Sequence, residues 1–220
     1  MISVQNISKV YKVNGQPFIA AEDLSLTIDK GEMVAIVGHS GSGKTTLLSM
    51  IGGLTKPDRG TVKIADTDLW ALSDNHRSEF RNRTINFIYQ FASLIPTLNA
   101  LENVLLPSAF GPGRNISYDK ARDLLQRVGL ADKEKFYPSQ LSGGQQRRVA
   151  IARAFINDPQ VLLADEPTGD LDETTEKEII NLFQAMNKER GITFVIVTHE
   201  QSIASVAHRR LSMKDGRLIT

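Results

Sequence analysis

The sequence predicts an α/β fold with a helical insertion, and three observations carry that prediction. Short continuous apolar runs recur at Met33-Val34-Ala35-Ile36-Val37, Val161-Leu162-Leu163-Ala164 and Thr193-Phe194-Val195-Ile196-Val197, the mark of strands buried on both faces. Helical texture separates these runs, and strands alternating with helices imply a parallel sheet joined by right-handed crossovers. From about residue 91 to 158 the texture changes. Leu124, Leu125, Val128 and Leu130, then Val149, Ala152 and Phe155, recur at helical spacing, so this middle third reads as mostly helical.

In chain order, residues 4–11 read as a strand. Residues 21–28 read as another, with Leu24, Leu26 and Ile28 alternating. Gly31-Glu32 is a turn into the strand at 33–37. A glycine-rich turn follows, then a helix over 45–51 that Gly52-Gly53 stops. Residues 61–64 suit a strand, 72–83 a charged helix and 85–89 an apolar strand. Residues 176–188 are helical between the last two buried runs, and residues 213–217 read as a final strand.

Composition narrows the function classes. With 220 residues, 41% hydrophobic and 23% charged, the chain suits one compact soluble domain rather than a disordered or membrane-embedded one. A formal net charge of +1 gives no electrostatic reason to expect nucleic acid as a partner. The absence of cysteine excludes disulfides, thiolate metal sites and cysteine nucleophiles, and fits a reducing compartment. No signal peptide is expected, and no apolar stretch reaches the roughly 18 residues that span a bilayer. Work at a membrane would require another chain to hold this one there.

Gly38-His39-Ser40-Gly41-Ser42-Gly43-Lys44-Thr45 fits G-x-x-x-x-G-K-[ST], the phosphate loop, with Thr46 next in line. Glycines let backbone N–H groups converge on phosphate oxygens, and a helix N-terminus adds partial positive charge. Lys44 is expected to reach the β- and γ-phosphates, and Thr45 to place a hydroxyl on Mg²⁺. A glycine-bearing strand-to-helix turn would match this pattern by chance in roughly one per cent of chains this long. The apolar strand before it and the helix after it favour phosphate binding.

Asp165-Glu166 closes the apolar run at 161–164, which puts both acids at the carboxyl edge of a sheet, where open α/β folds bind ligands. Acids also simply mark strand ends. Beside a phosphate loop, the pair reads as Asp165 on Mg²⁺ and Glu166 as the general base that polarises water.

Leu141-Ser142-Gly143-Gly144-Gln145-Gln146-Arg147-Arg148, at the head of an amphipathic helix, resembles the signature motif of the ATP-binding cassette (ABC) superfamily. Other family motifs then fall in order along essentially the whole chain. Tyr11 resembles the aromatic that stacks on adenine, Gln90 the Q-loop glutamine that touches Mg²⁺ or water, and His199 the switch histidine that senses the γ-phosphate. Gly169-Asp170-Leu171-Asp172 resembles the D-loop. The resemblance implies a P-loop NTPase (RecA-like) core, residues 1–90 and 159–220, with a mainly parallel sheet and an N-terminal antiparallel β region. A helical subdomain over 91–158 would carry the signature. It also implies that Ser142, Gly143, Gly144, Gln145 and Asp172 act on the ATP of a second copy, so that two ATP are sandwiched between two chains. As a local feature, residues 141–144 equally suit a loop entering a helix with Ser142 as N-cap. Gln146-Arg147-Arg148 and Asp170 depart from the commonest family spelling at positions usually tolerant of change.

Stretches such as Arg81-Asn82-Arg83-Thr84-Ile85, Tyr89-Gln90-Phe91, Leu94-Ile95-Pro96 and Ala100-Leu101-Glu102-Asn103-Val104 resemble the lipoprotein-releasing and macrolide-exporter ATPases. The cell-division ATPase of the same superfamily is also similar and shares the Gly-His-Ser-Gly start. The implied partners are a second copy and integral membrane permease subunits, at the cytoplasmic face of the cell membrane. No C-terminal regulatory domain or fused transmembrane part is expected. Soluble ABC ATPases acting on ribosomes or DNA usually carry paired cassettes or long insertions, and a P-loop kinase needs no signature.

Overall fold

The structure, a computed structural model, describes residues 1–110, 116–169 and 171–219. Strands β1 (Ile2–Val13) and β2 (Gln16–Ile28) form a long antiparallel hairpin. Asn14-Gly15 closes it with φ of 50° and 79°, the positive values a type I′ turn demands. Strand β3 (Met33–Val37) leads to helix α1 (Lys44–Ile51). Strands β4 (Arg59–Ile64) and β5 (Thr67–Asp68) come next, then α2 (Asp74–Thr84) and β6 (Ile85–Ile88). Three helices follow: α3 (Ala100–Leu105), α4 (Tyr118–Arg127) and α5 (Gly143–Ala154). The chain continues through β7 (Val161–Asp165), α6 (Glu173–Arg190), β8 (Thr193–Thr198), α7 (Gln201–Val206), β9 (Arg209–Lys214) and β10 (Arg217–Ile219).

Two sheets result. One is antiparallel in the order β2-β1-β4-β5, and the other runs β10-β9-β3-β8-β7-β6 with every pair parallel except β9 with β10. The α/β core with an N-terminal antiparallel region is therefore as the sequence predicts. The expected strand over 213–217 is instead a hairpin: Lys214 pairs with Arg217, and Asp215-Gly216 turns the chain at φ 49° and 76°. The Asp-Gly dipeptide overrides the strand texture there because both residues tolerate positive φ. Helix α6 starts three residues before the predicted 176, at Glu173, because the Asp172 side chain accepts from the Thr175 N–H and caps it there.

The pleat explains the continuous apolar runs. In β7, Leu162 and Ala164 face the cluster built with α3 to α6, while Val161 and Leu163 face the one built with α1 and the antiparallel sheet. Strand β8 splits the same way, Phe194 and Ile196 against Val195 and Val197. On the first face, Phe155 of α5, Phe183 of α6 and Phe194 of β8 stack in a tilted trio with ring centroids 5.4 to 6.5 Å apart. Helix α5 is thus locked into the core of the sheet as well as against α3 and α4. Among the described residues, no helix is long and apolar enough to cross a membrane.

Candidate functional site

Strands β3, β8, β7 and β6 lie side by side and parallel, so their carboxyl ends share one edge. The glycine loop leaves β3, His199 follows β8, Asp165 and Glu166 end β7, and Gln90 follows β6. An open cavity of about 580 Å³ gathers Gly38, His39, Ser40, Gly41, Ser42, Gly43, Lys44, Thr45 and Thr46 with Gln90, Asp165, Glu166 and His199. Four strand ends scattered through the sequence meet there.

The loop is held by close backbone approach. A Cβ on Gly38 would stand 2.2 Å from the Met213 carbonyl oxygen. A Cβ on Gly43 would stand 2.1 Å from the Ala20 carbonyl oxygen, at a φ of +97°. Gly43 is also the N-cap of α1 and offers no side chain to cap it. The first N–H groups of the helix therefore remain open toward the cavity, a ready anion site. Lys44 is buried, and its ammonium donates to the carbonyls of Gly38 at 2.7 Å and His39 at 3.0 Å.

Burial pushes the Asp165 carboxyl above the usual carboxylate range, against a hydrogen bond from Thr45, and the neighbouring Glu166 charge adds to the rise. A cation beside Asp165 and the Thr45 hydroxyl would relieve that penalty. Hard oxygen donors of this kind suit Mg²⁺. No group of three or more His, Asp or Glu side chains able to hold a metal occurs among the described residues. A cation here would take its remaining ligands from phosphate and water.

Glu166 sits at φ 46°, in the left-handed region. Its N–H donates to the Val197 carbonyl at 2.9 Å, and its carboxylate accepts from the Thr198 hydroxyl at 2.9 Å. The exposed His199 ring lies 3.0 Å from the same carboxylate, which raises the histidine pKa through that hydrogen bond and the negative charge. A carboxylate aimed into the cavity beside a titratable ring is suited to orient and deprotonate water.

The remaining expected residues stand apart from this cavity. Ser142 caps α5: its hydroxyl accepts from the Gln145 N–H at 3.2 Å, and the Gln145 side chain accepts from the Ser142 N–H at 2.9 Å. Gly143 follows at the exposed helix start, and a Cβ on Gly144 would meet Leu171 at 3.4 Å. Asp172 is spent on capping α6. Asp170 lies outside the described residues. Tyr11 is 37% exposed and does not line the cavity, whereas its cross-strand neighbour Phe18 and nearby Ala20 do. Phe18 is a cavity residue that its type alone does not mark; the Asn14-Gly15 turn, which sets the pairing of 11 with 18, is the signal in the sequence that points to it.

Residues 21–169 match the family described as ABC transporter. The chain is 44% identical over 221 residues to "Lipoprotein-releasing system ATP-binding protein LolD 1" of Caulobacter vibrioides, covering 99% of this chain and 94% of that one. It is 42% identical to "Macrolide export ATP-binding/permease protein MacB" of Syntrophobacter fumaroxidans, over 98% of this chain and 31% of that larger protein. A solved dimeric post-hydrolysis structure of the ATP-binding cassette MJ0796, bound to ADP and Pi, superposes with a TM-score of 0.96 at 40% identity, covering all of this chain and 97% of that one.

Proposed function

This chain belongs to the ABC transporter family, and we propose from that premise that it is an ATP-hydrolysing subunit that powers separate membrane proteins. The observation that carries the reading is the meeting of four strand ends around one cavity of about 580 Å³, the scale of a small-molecule site. The loop from Gly38 to Thr46 binds the phosphates of ATP, with Lys44 turning from its own loop carbonyls to the β- and γ-phosphates. Thr45, Asp165 and Gln90 hold Mg²⁺, which when bound neutralises phosphate charge. Glu166 takes a proton from the attacking water, and His199 steadies the γ-phosphate side. Tyr11 stacks on adenine.

Ser142, Gly143, Gly144, Gln145 and Asp172 complete the site of a second copy, since they lie off this chain's own cavity. The chain divides into a RecA-like core, residues 1–90 and 159–220, and a helical arm, 91–158. It works at the cytoplasmic face of a membrane, held by permease subunits that choose the cargo. Relatives named for lipoprotein release and macrolide export support export or force transmission as the output.

The test is the concentration dependence of ATP hydrolysis by the purified chain without its partner. The rate rises more steeply than linearly with protein when dilute. Strict proportionality, with a monomer by light scattering at saturating ATP, would overturn the shared site. Capture from membranes with ribosomes or DNA and no integral membrane protein would overturn the coupling to transport.

A further inference from the structure

Arg147 is spelled like a surface residue, yet its side chain is 6% exposed. Drawing a guanidinium out of water is costly unless its N–H groups are satisfied. Nη1 donates to the backbone carbonyl of Glu166 at 2.6 Å, and Nη2 donates to the backbone carbonyl of Gln90. Both acceptors belong to residues that line the phosphate cavity, one after β6 and one at the end of β7. A planar fork of donors fixes the separation of two acceptors, which a single ammonium cannot do.

The Glu166 carbonyl is no ordinary acceptor. That residue is held in the left-handed region at φ 46°, a strained place for a side chain with a Cβ. Its N–H is tied to Val197, and its carbonyl accepts from Gly169 at 3.3 Å as well as from Arg147. The direction of the Glu166 carboxylate follows from how that backbone unit is clamped. Farther along α5, Arg153 donates to the carbonyls of Ala92 at 2.9 Å and Ser93 at 3.0 Å. Helix α5 therefore grips the segment after β6 with two arginines, and of the two it is Arg147 that also reaches Glu166. The N-cap of the same helix is Ser142.

We propose that Arg147 is a positioning residue for hydrolysis. It sets the spacing between Gln90 and Glu166 and ties both to α5, so that a shift of the α5 N-terminus against another copy's nucleotide is transmitted to this chain's own water-activating carboxylate. This rests on the shared-ATPase reading above.

The experiment compares wild type, Arg147→Lys and Arg147→Met. It records ATPase kinetics with Mg²⁺, equilibrium binding of a fluorescent ATP analogue, and the thermal unfolding midpoint. The expected result for Arg147→Met is a kcat lowered on the order of 10- to 100-fold, the scale of a small misplacement of reacting groups. Its analogue affinity and KM stay within about twofold, since ground-state binding is untouched. Arg147→Lys falls between, because it restores charge and one bond but not the fork. A kcat within about twofold of wild type in Arg147→Met overturns the proposal. So does a parallel fall of kcat, affinity and unfolding midpoint, which marks a purely structural residue. Should Arg147→Met fail to fold, Arg147→Lys decides alone: lowered kcat with unchanged affinity supports the role, and unchanged kcat ends it. Absence of ATP hydrolysis in wild type would instead remove the parent reading, whatever Arg147 does.

Discussion

Helix α1 begins at Gly43 with no side-chain cap, whereas helix α5 begins at Ser142 with its capping box complete. The first helix end opens into the cavity at the sheet edge; the second stands exposed, with the Ser142 and Gln145 N–H groups already taken by the capping box. An uncapped end has free N–H donors for an anion and gains from finding one. A capped end has fewer free N–H donors to offer, so its net gain from the same anion is smaller. The difference assigns an order of events. On the proposed function, the phosphate loop would hold nucleotide first, and the signature end would engage once a second chain brings nucleotide to it.

Changes on the two sides should then separate binding from assembly. The largest effect is expected for Glu166→Gln. Turnover falls about 10²- to 10⁴-fold, the range of general-base catalysis, while ATP binding persists and an ATP-dependent dimer accumulates. Single-turnover hydrolysis with light scattering reads both, and near-normal turnover would remove the base from Glu166. A smaller effect is expected for Ser142→Ala. Loss of the cap costs about 1 kcal/mol in urea unfolding. ATP affinity of the isolated chain stays the same, while ATP-driven dimerisation weakens. An equal loss of monomer affinity would show that the two helix ends are not separable.

The smallest effect concerns His199. The hydrogen bond and charge of Glu166 raise its pKa above the ordinary histidine value. Because the folded value is the raised one, its small stabilising contribution is full below about 6.5 and is lost as pH climbs through the folded pKa. Glu166→Gln should bring the histidine back toward its ordinary value, followed by the imidazole NMR shifts across pH. An unmoved titration would place the cause elsewhere.

Much of this was legible beforehand because it is local. The apolar runs at 33–37, 161–164 and 193–197 are strands because a sheet buried on both faces needs apolar side chains at every position. Turn chemistry is equally readable at Asp215-Gly216, where positive φ makes a hairpin of the strand expected over 213–217. Phe18 was legible only through the Asn14-Gly15 turn, and Arg147 not at all as a site residue. Phe18 reaches the cavity only through its pairing across a long hairpin, and Arg147 acts through backbone carbonyls that leave no trace in residue type.

The sequence by itself determined the chemistry available: a glycine loop with lysine and threonine, an acid pair ending a buried strand, a histidine after another, and a signature segment. The loop and the acid pair follow from short-range rules of turn geometry and burial, while the roles of the histidine and the signature segment rest on the family resemblance. Only the tertiary structure decided that β8 lies between β3 and β7, which brings Glu166 and His199 to within 3.0 Å. It likewise decided that Ser142 stands off the phosphate loop of its own chain, and that a buried arginine ties Gln90 to Glu166. Each of these is a contact between segments far apart in the chain, fixed by strand order and by the need to satisfy a buried guanidinium.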